Sequence, residues 1–193
     1  HGFPHAVKDL SNIKGFVTSC GSPLLANNKV EQDSVFANRI RNAGAIFIGK
    51  TNVPEFGLGS QSYNTLHGST KNVFNTSLCA GGSSGGAAVA LALDILPVAD
   101  GSDMMGSLRN PAAYNNVVGF RPSLGRVPKT EGDVFFSQLS TEGPMARNVE
   151  DVIRLLLTMA GADTRAPLSW RGELGSPEDF MPLSLNDTRV GWL

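Results

Sequence analysis

Gly81-Gly82-Ser83-Ser84-Gly85-Gly86 and the run that follows it to Arg109, GGSSGGAAVALALDILPVADGSDMMGSLR, set two serine-bearing turns around one helix and one strand. Four glycines in the first six residues let that backbone take dihedrals closed to other residues. Ala87 to Leu93 reads as a short helix of small and apolar side chains, suited to close packing on a sheet. Ile95 to Ala99 is an apolar run of strand length, bounded by Asp94 and by Asp100-Gly101. The second turn, Gly101 to Ser107, delivers another serine at the start of a helical turn. A serine at the end of a buried strand, followed by free backbone N–H groups, is a place for a nucleophile and an oxyanion site.

A serine nucleophile needs a base. The three histidines, His1, His5 and His67, all precede the glycine-rich turn. Gly81-Gly82-Ser83-Ser84-Gly85 matches the nucleophile-elbow pattern G-x-S-x-G, which requires its acid and histidine later in the chain. No histidine follows Ser83. Either those partners lie beyond Leu193, or the base is a lysine held neutral by burial.

The chain resembles the amidase signature family, serine hydrolases with a Ser–Ser–Lys triad. His1-Gly2-Phe3-Pro4 leading into Val7-Lys8-Asp9 is similar to the segment that carries the family's lysine. Ser83, first of the S-S-G-G pair, matches the bridging serine. Ser107, in Gly101-Ser102-Asp103-Met104-Met105-Gly106-Ser107-Leu108-Arg109, matches the nucleophile. Arg41-Asn42-Ala43-Gly44-Ala45, Gly49-Lys50-Thr51-Asn52, Gly119-Phe120-Arg121-Pro122 and Gly143-Pro144-Met145-Ala146-Arg147 agree in order, so the resemblance runs from His1 to about Gly161. It implies Lys8, Ser83 and Ser107 as catalytic residues and an oxyanion site on the backbone of Met104, Met105 and Gly106. Ser84, Asp103 and Arg109 are the supporting residues, Arg109 through an ion pair with Asp103. It also implies a cis peptide between Gly82 and Ser83, with the Ser83 hydroxyl within hydrogen-bond distance of both Lys8 and Ser107. Met105 stands where the family commonly carries glycine. The expectation there is either a strained positive φ or a side chain that narrows the acyl pocket.

The 193 residues are 41% hydrophobic and 17% charged, with a net charge of −1, a composition suited to a globular domain with a real core. Near-neutral charge gives no reason to expect a nucleic-acid or anionic-membrane surface. No apolar run reaches the length of a membrane-spanning helix. Cys20 and Cys79 do not make a disulfide framework, so a reducing, cytoplasmic setting is the default.

In chain order, Ala6 to Lys8 reads as a strand end that places Lys8 where the sheet opens. Asp33 fits an N-cap, with Val35, Phe36, Ile40 and Ala43 as the apolar face of a helix that Gly44 ends. Ala45 to Ile48 reads as a buried strand. Gly44 to Thr51, GAIFIGKT, matches the P-loop pattern, but its apolar strand lies between the two glycines, so its N–H groups belong to a sheet. Gln61 to Thr76 is a polar loop, and His67 within it a surface residue. Leu108 to Asn115 is a helical turn and Val117 to Phe120 a strand. Asn148 caps an amphipathic helix through Val149, Val152, Ile153, Leu156, Leu157 and Ala160. Asp163 to Asp179 is a connection, and Arg189 to Leu193 reads as the start of a strand.

Strands separated by helices predict an α/β fold, a mixed β-sheet core covered by helices. Residues 1–193 would then be part of a single amidase catalytic domain, lacking segments at both ends. The expected activity is hydrolysis of a carboxylic amide through an acyl-serine. The alternatives are the glutamine-hydrolysing component of a tRNA-dependent amidotransferase and a nucleotide-binding relative. No metal or organic cofactor is implied. The expected partner is a small-molecule amide substrate, with no nucleic acid unless the chain serves an amidotransferase, no membrane, and a homodimer as the assembly to test.

Overall fold

The computed structural model of the chain describes residues 1–133, 135–136, 138–180, 186, 188–189 and 191. The strand expected from Arg189 to Leu193 falls on residues largely outside that set. Parallel and antiparallel pairings both occur, in separate small sheets among the described residues. Strand β1 (Pro4–Lys8) pairs parallel with β2 (Ile46–Thr51) across helix α1 (Val35–Asn42). β5 (Val98–Asp103) and, after the short helix α3 (Arg109–Tyr114), β6 (Val118–Gly119) flank β7 (Thr141–Ala146) in an antiparallel sheet, and β1 lies against β5. A two-residue hairpin, β3 (Tyr63–Asn64) with β4 (Gly68–Ser69), interrupts the loop expected from Gln61 to Thr76; His67 in it is exposed.

Helix α2 (Gly85–Ala92) covers one side of these strands, where Ala87, Ala88 and Leu91 meet Ala6, Ala99 and Met145. On the other side α1 and α4 (Val149–Met159) bring Phe36, Ile40, Leu155 and Met159 onto Val7 and Ile13. Alternation along β1 thus sends Ala6 to one cluster and Val7 to the other. Lys8, next in line, points back toward the start of α2. Arg39 joins the two helices on the far side, donating to the carbonyls of Met159 (2.8 Å), Gly161 (3.0 Å) and Ala162 (3.0 Å). A cation there meets the negative end of the α4 dipole.

Several local expectations shift. Ser34, not Asp33, stands at the N-cap of α1, and its hydroxyl accepts from Asn12 N instead of capping. Asp33 is drawn away by Arg41 at 2.7 Å and Lys14 N at 2.7 Å. Ala37 is buried in that helix and Ala43 is exposed. β2 is not buried throughout: Ile46 and Ile48 are exposed, because β1 is its only strand partner among the described residues. β5 starts three residues later than the apolar run and continues through Gly101-Ser102-Asp103, so the second turn begins at Met104. In α4 the buried set is Val152, Leu155, Leu156 and Met159, while Val149 beside the cap is exposed. Asn148 does cap that helix, accepting from Asp151 N at 2.8 Å, an interaction of about 1 kcal/mol.

The glycine-rich turn is close-packed. A Cβ on Gly86 would stand 2.3 Å from the backbone nitrogen of Asn52 and 2.8 Å from its carbonyl oxygen. Backbone cannot give way as a flexible side chain can. Gly86→Ala is therefore expected to destabilise the protein by about 1–3 kcal/mol. Urea denaturation followed by circular dichroism checks this, and an unchanged midpoint would contradict it.

Candidate active site

Lys8 is fully buried at the end of β1. Its Nζ lies 2.8 Å from each of three hydroxyls, Ser83 Oγ, Ser84 Oγ and Ser102 Oγ, and 3.3 Å from the Ser102 carbonyl. Among the described residues no carboxylate pairs with it directly. Desolvation by burial is the largest influence, and Glu142, Asp100 and Asp103 offset it only partly, so its pKa falls from 10.5 to about 8. Burial also pushes the Glu142 carboxyl up, against the pull of Lys129, 3.3 Å away, and of Lys8.

A neutral amine has two N–H bonds and one lone pair. Ser84 Oγ lies 3.4 Å from the Ser102 carbonyl, which its own hydrogen can reach, and it accepts from Ser102 N at 3.3 Å. It is thus an acceptor from Lys8. Ser83 Oγ has no hydrogen-bond partner but Lys8 among the described residues, so its proton is free to turn toward the amine or away from it.

Ser83 follows a cis peptide at Gly82–Ser83, as the resemblance implies. Ser62 fastens this turn, donating from its hydroxyl to the Ser83 carbonyl (3.2 Å) and accepting from Gly85 N (2.9 Å). Ser84 N donates to the Ser107 carbonyl at 3.0 Å, which joins the two serine turns directly.

Asp103, at the end of β5, organises the second turn. Its buried carboxylate accepts from Gly106 N (2.8 Å), Leu108 N (3.3 Å), Arg109 Nε (2.9 Å) and Arg121 Nη1 (3.0 Å). Burial alone would raise the carboxyl, but the hydrogen bonds from Arg109, Gly106 and Arg121 together outweigh it and hold it well below the usual carboxylate range. Arg121 also donates to the carbonyls of Met104 (3.1 Å) and Leu139 (2.9 Å).

Two expectations about this turn change. Gly106 N–H is taken by Asp103 and cannot face an oxyanion, whereas Met104, Met105 and Ser107 N–H donate to nothing among the described residues. The position that needs a positive φ is Gly106 (φ 107°), not Met105, which is absent from the positive-φ residues. The Met105 side chain is 83% exposed. A third expectation is half met: Ser83 reaches Lys8, but no hydrogen bond joins the Ser83 and Ser107 hydroxyls among the described residues. Ser107 is half-buried, with only its carbonyl fastened among the described residues, so its hydroxyl can turn. Bonds of this kind commonly tighten only when substrate is bound.

Sequence reading misses Ser102, Asp100, Glu142 and Ser62. An acid at the end of an apolar run is a signal for Asp100. The others look like ordinary strand and loop residues until the strands are paired. A cavity of about 150 Å³ beside Glu142, lined also by Lys129, Thr141 and Ser169, does not include Ser107. No helix among the described residues is long and apolar enough to cross a membrane.

The family model described as Amidase matches residues 1–191. A glutamyl-tRNA(Gln) amidotransferase subunit of Pseudomonas syringae pv. syringae (strain B728a) is 40% identical over 190 residues, covering 98% of this chain and 39% of its own length. A bacterial aryl acylamidase of the amidase signature enzymes superposes with a TM-score of 0.85 at 36% identity, over 89% of this chain and 36% of that one. A peptide amidase bound to the competitive inhibitor chymostatin gives a TM-score of 0.80 at 36% identity, over 94% of this chain and 36% of that one. The chain thus spans about two fifths of the length of its relatives.

Proposed function

The chain belongs to the amidase family, and from that membership we propose that it carries the catalytic centre of an enzyme that hydrolyses a carboxylic amide through an acyl-serine. The observation that supports this reading is the buried Lys8, whose Nζ meets the freely turning Ser83 hydroxyl at 2.8 Å. Ser107 Oγ attacks the amide carbon and passes its proton to Ser83, while the proton of Ser83 moves to the lone pair of Lys8. Free N–H groups of Met104, Met105 and Ser107 receive the oxyanion. The carbon–nitrogen bond then breaks as the proton returns through Ser83 to the leaving amine. Water repeats the relay on the Ser107 ester and releases the carboxylate. Ser84 and Ser102 hold the amine in place, and Asp103 with Arg109 and Arg121 holds the turn that presents Ser107.

Burial of Lys8 gives this mechanism a pH signature. The base works only when neutral, so kcat/KM is expected to rise about tenfold per pH unit below a limb near the Lys8 value of about 8 and to level off above it. Ammonia or amine release from aliphatic, aryl and peptide-like amides, measured from pH 6 to 10 on the intact protein, tests both the activity and the limb. A profile flat between pH 6 and 8 would contradict Lys8 as the base.

A second reading keeps the chemistry and changes the acceptor: the chain as the glutamine-hydrolysing part of an amidotransferase. It is favoured by the 40% identity to a glutamyl-tRNA(Gln) amidotransferase component. Glutamine hydrolysis that rises sharply when partner proteins and acylated tRNA are added would select it. Hydrolysis of simple amides by the isolated intact protein selects the first.

A further inference from the structure

Beneath Lys8 lies a second buried acid that the relay does not use. Asp100 is fully buried on β5 and receives two donors: Lys8 backbone N, at 3.1 Å and 3.4 Å from its two oxygens, and His5 Nε2 at 3.0 Å. We propose that Asp100 is a positioning residue for Lys8, fixing the lysine's backbone at the end of β1 and lending its negative charge to the pocket that holds the ammonium. The proposal rests on the reading of Lys8 as the base.

An apolar residue would fill this place without the cost of burying a carboxylate, which is several kcal/mol unless hydrogen bonds offset it. The donors that offset it here come from β1 itself, three residues apart, so the acid clamps the strand that delivers the lysine. His5 is equally constrained. Its ring packs edge-on against Phe3 at 6.4 Å and tilted against Phe47 at 5.9 Å. Its Nδ1 is buried without a partner among the described residues. With Nδ1 unpartnered, Nε2 is the ring nitrogen that donates to Asp100.

The other charged groups around Lys8 are Glu142 on β7, Asp103 at the end of β5 and Lys129 against Glu142. Glu142 is itself offset by Lys129, and Asp103 by two arginines. Lys50 on β2 also feels Asp100, but its ion-pair partner is Asp9, at 3.5 Å. Asp100 thus faces Lys8 with no lysine or arginine paired to it directly among the described residues. Neutralising it removes a charge that favours the ammonium, so Lys8 loses its proton at lower pH.

The test uses a fluorophosphonate on the intact protein. Ser107 Oγ forms a bond to phosphorus, fluoride leaves, and the hydroxyl proton goes to the base, so the labelling rate follows the base without any amide substrate. In Asp100→Asn and Asp100→Ser the acid limb of the Ser107 labelling rate is expected to move down by about one pH unit, with the rate at pH 6 about tenfold closer to its plateau than in the wild type. A limb that stays in place or moves up overturns the proposal. So does loss of the folded circular dichroism spectrum in both variants, because Asp100 would then serve the fold. Absence of Ser107 labelling in the wild type at every pH overturns the relay on which the proposal rests, and that failure is read before any variant is made.

Discussion

Ser107→Ala is expected to lower amide hydrolysis by about 10⁴-fold or more while leaving the fold unchanged. On the proposed mechanism the change removes the one atom that becomes acylated. It removes no contact the turn depends on, because Ser107 is fastened through its carbonyl to Ser84 N and the turn itself through Asp103. Hydrolysis rates and fluorophosphonate labelling, with thermal denaturation as the control for folding, check both parts. Labelling that persists in Ser107→Ala at Ser83 or Ser84 would point back to the glycine-rich turn as the nucleophile elbow.

The second large effect concerns Lys8→Met, which removes the proposed base and keeps most of the buried volume. Activity is expected to fall about 10³-fold or more at pH 7, and by less at pH 10, where solvent hydroxide supplies part of the deprotonated serine. Stability moves the other way with pH. The folded-state value of about 8 lies below the ordinary 10.5, so between the two the unfolded chain holds the extra proton. Wild-type stability from this group therefore rises with pH across that window, by about 3 kcal/mol in full. Below pH 8 the fold carries the cost of a buried ammonium. Lys8→Met carries none, so the difference in unfolding free energy between wild type and variant should shift toward the wild type from pH 7 to pH 10. Urea denaturation at both pH values reads this directly, and an unchanged difference would mean that Lys8 is not desolvated.

Both residues are legible in the sequence, and so is Ser83. Their segments carry glycine, serine and lysine in orders that mark them as candidates, and the structure brings Lys8 and Ser83 together. Helices with one apolar stripe, such as α4 with its Asn148 cap, are legible for the same reason: one face of one element decides them. The strand Thr141–Ala146 is not. Glycine and proline at Gly143 and Pro144 argue against a central strand, yet β7 lies between β5 and β6. Its burial is imposed by its two neighbours rather than by its own propensity. Ser102, Asp100 and Glu142 stay hidden for a related reason. They acquire meaning only when β1, β5 and β7 lie side by side, and no spacing along one segment announces that. The oxyanion assignment to Gly106 fails because the competitor for its N–H, Asp103, sits in the same short motif, where it reads only as a partner of Arg109.

The hydrogen bonds of Lys8 Nζ span 75 to 94 residues of chain. None of them belongs to a local hairpin or helical turn. Contacts of such range form late, after the entropy of closing long loops has been met. A chain that has made its helices but not yet brought β1 against β5 therefore presents Ser83 and Ser107 with no amine beside them and an ordinary, solvated Lys8. Under the proposed relay Ser107 therefore gains its base only once β1 has closed against β5, so the rate of Ser107 labelling would report on that closure.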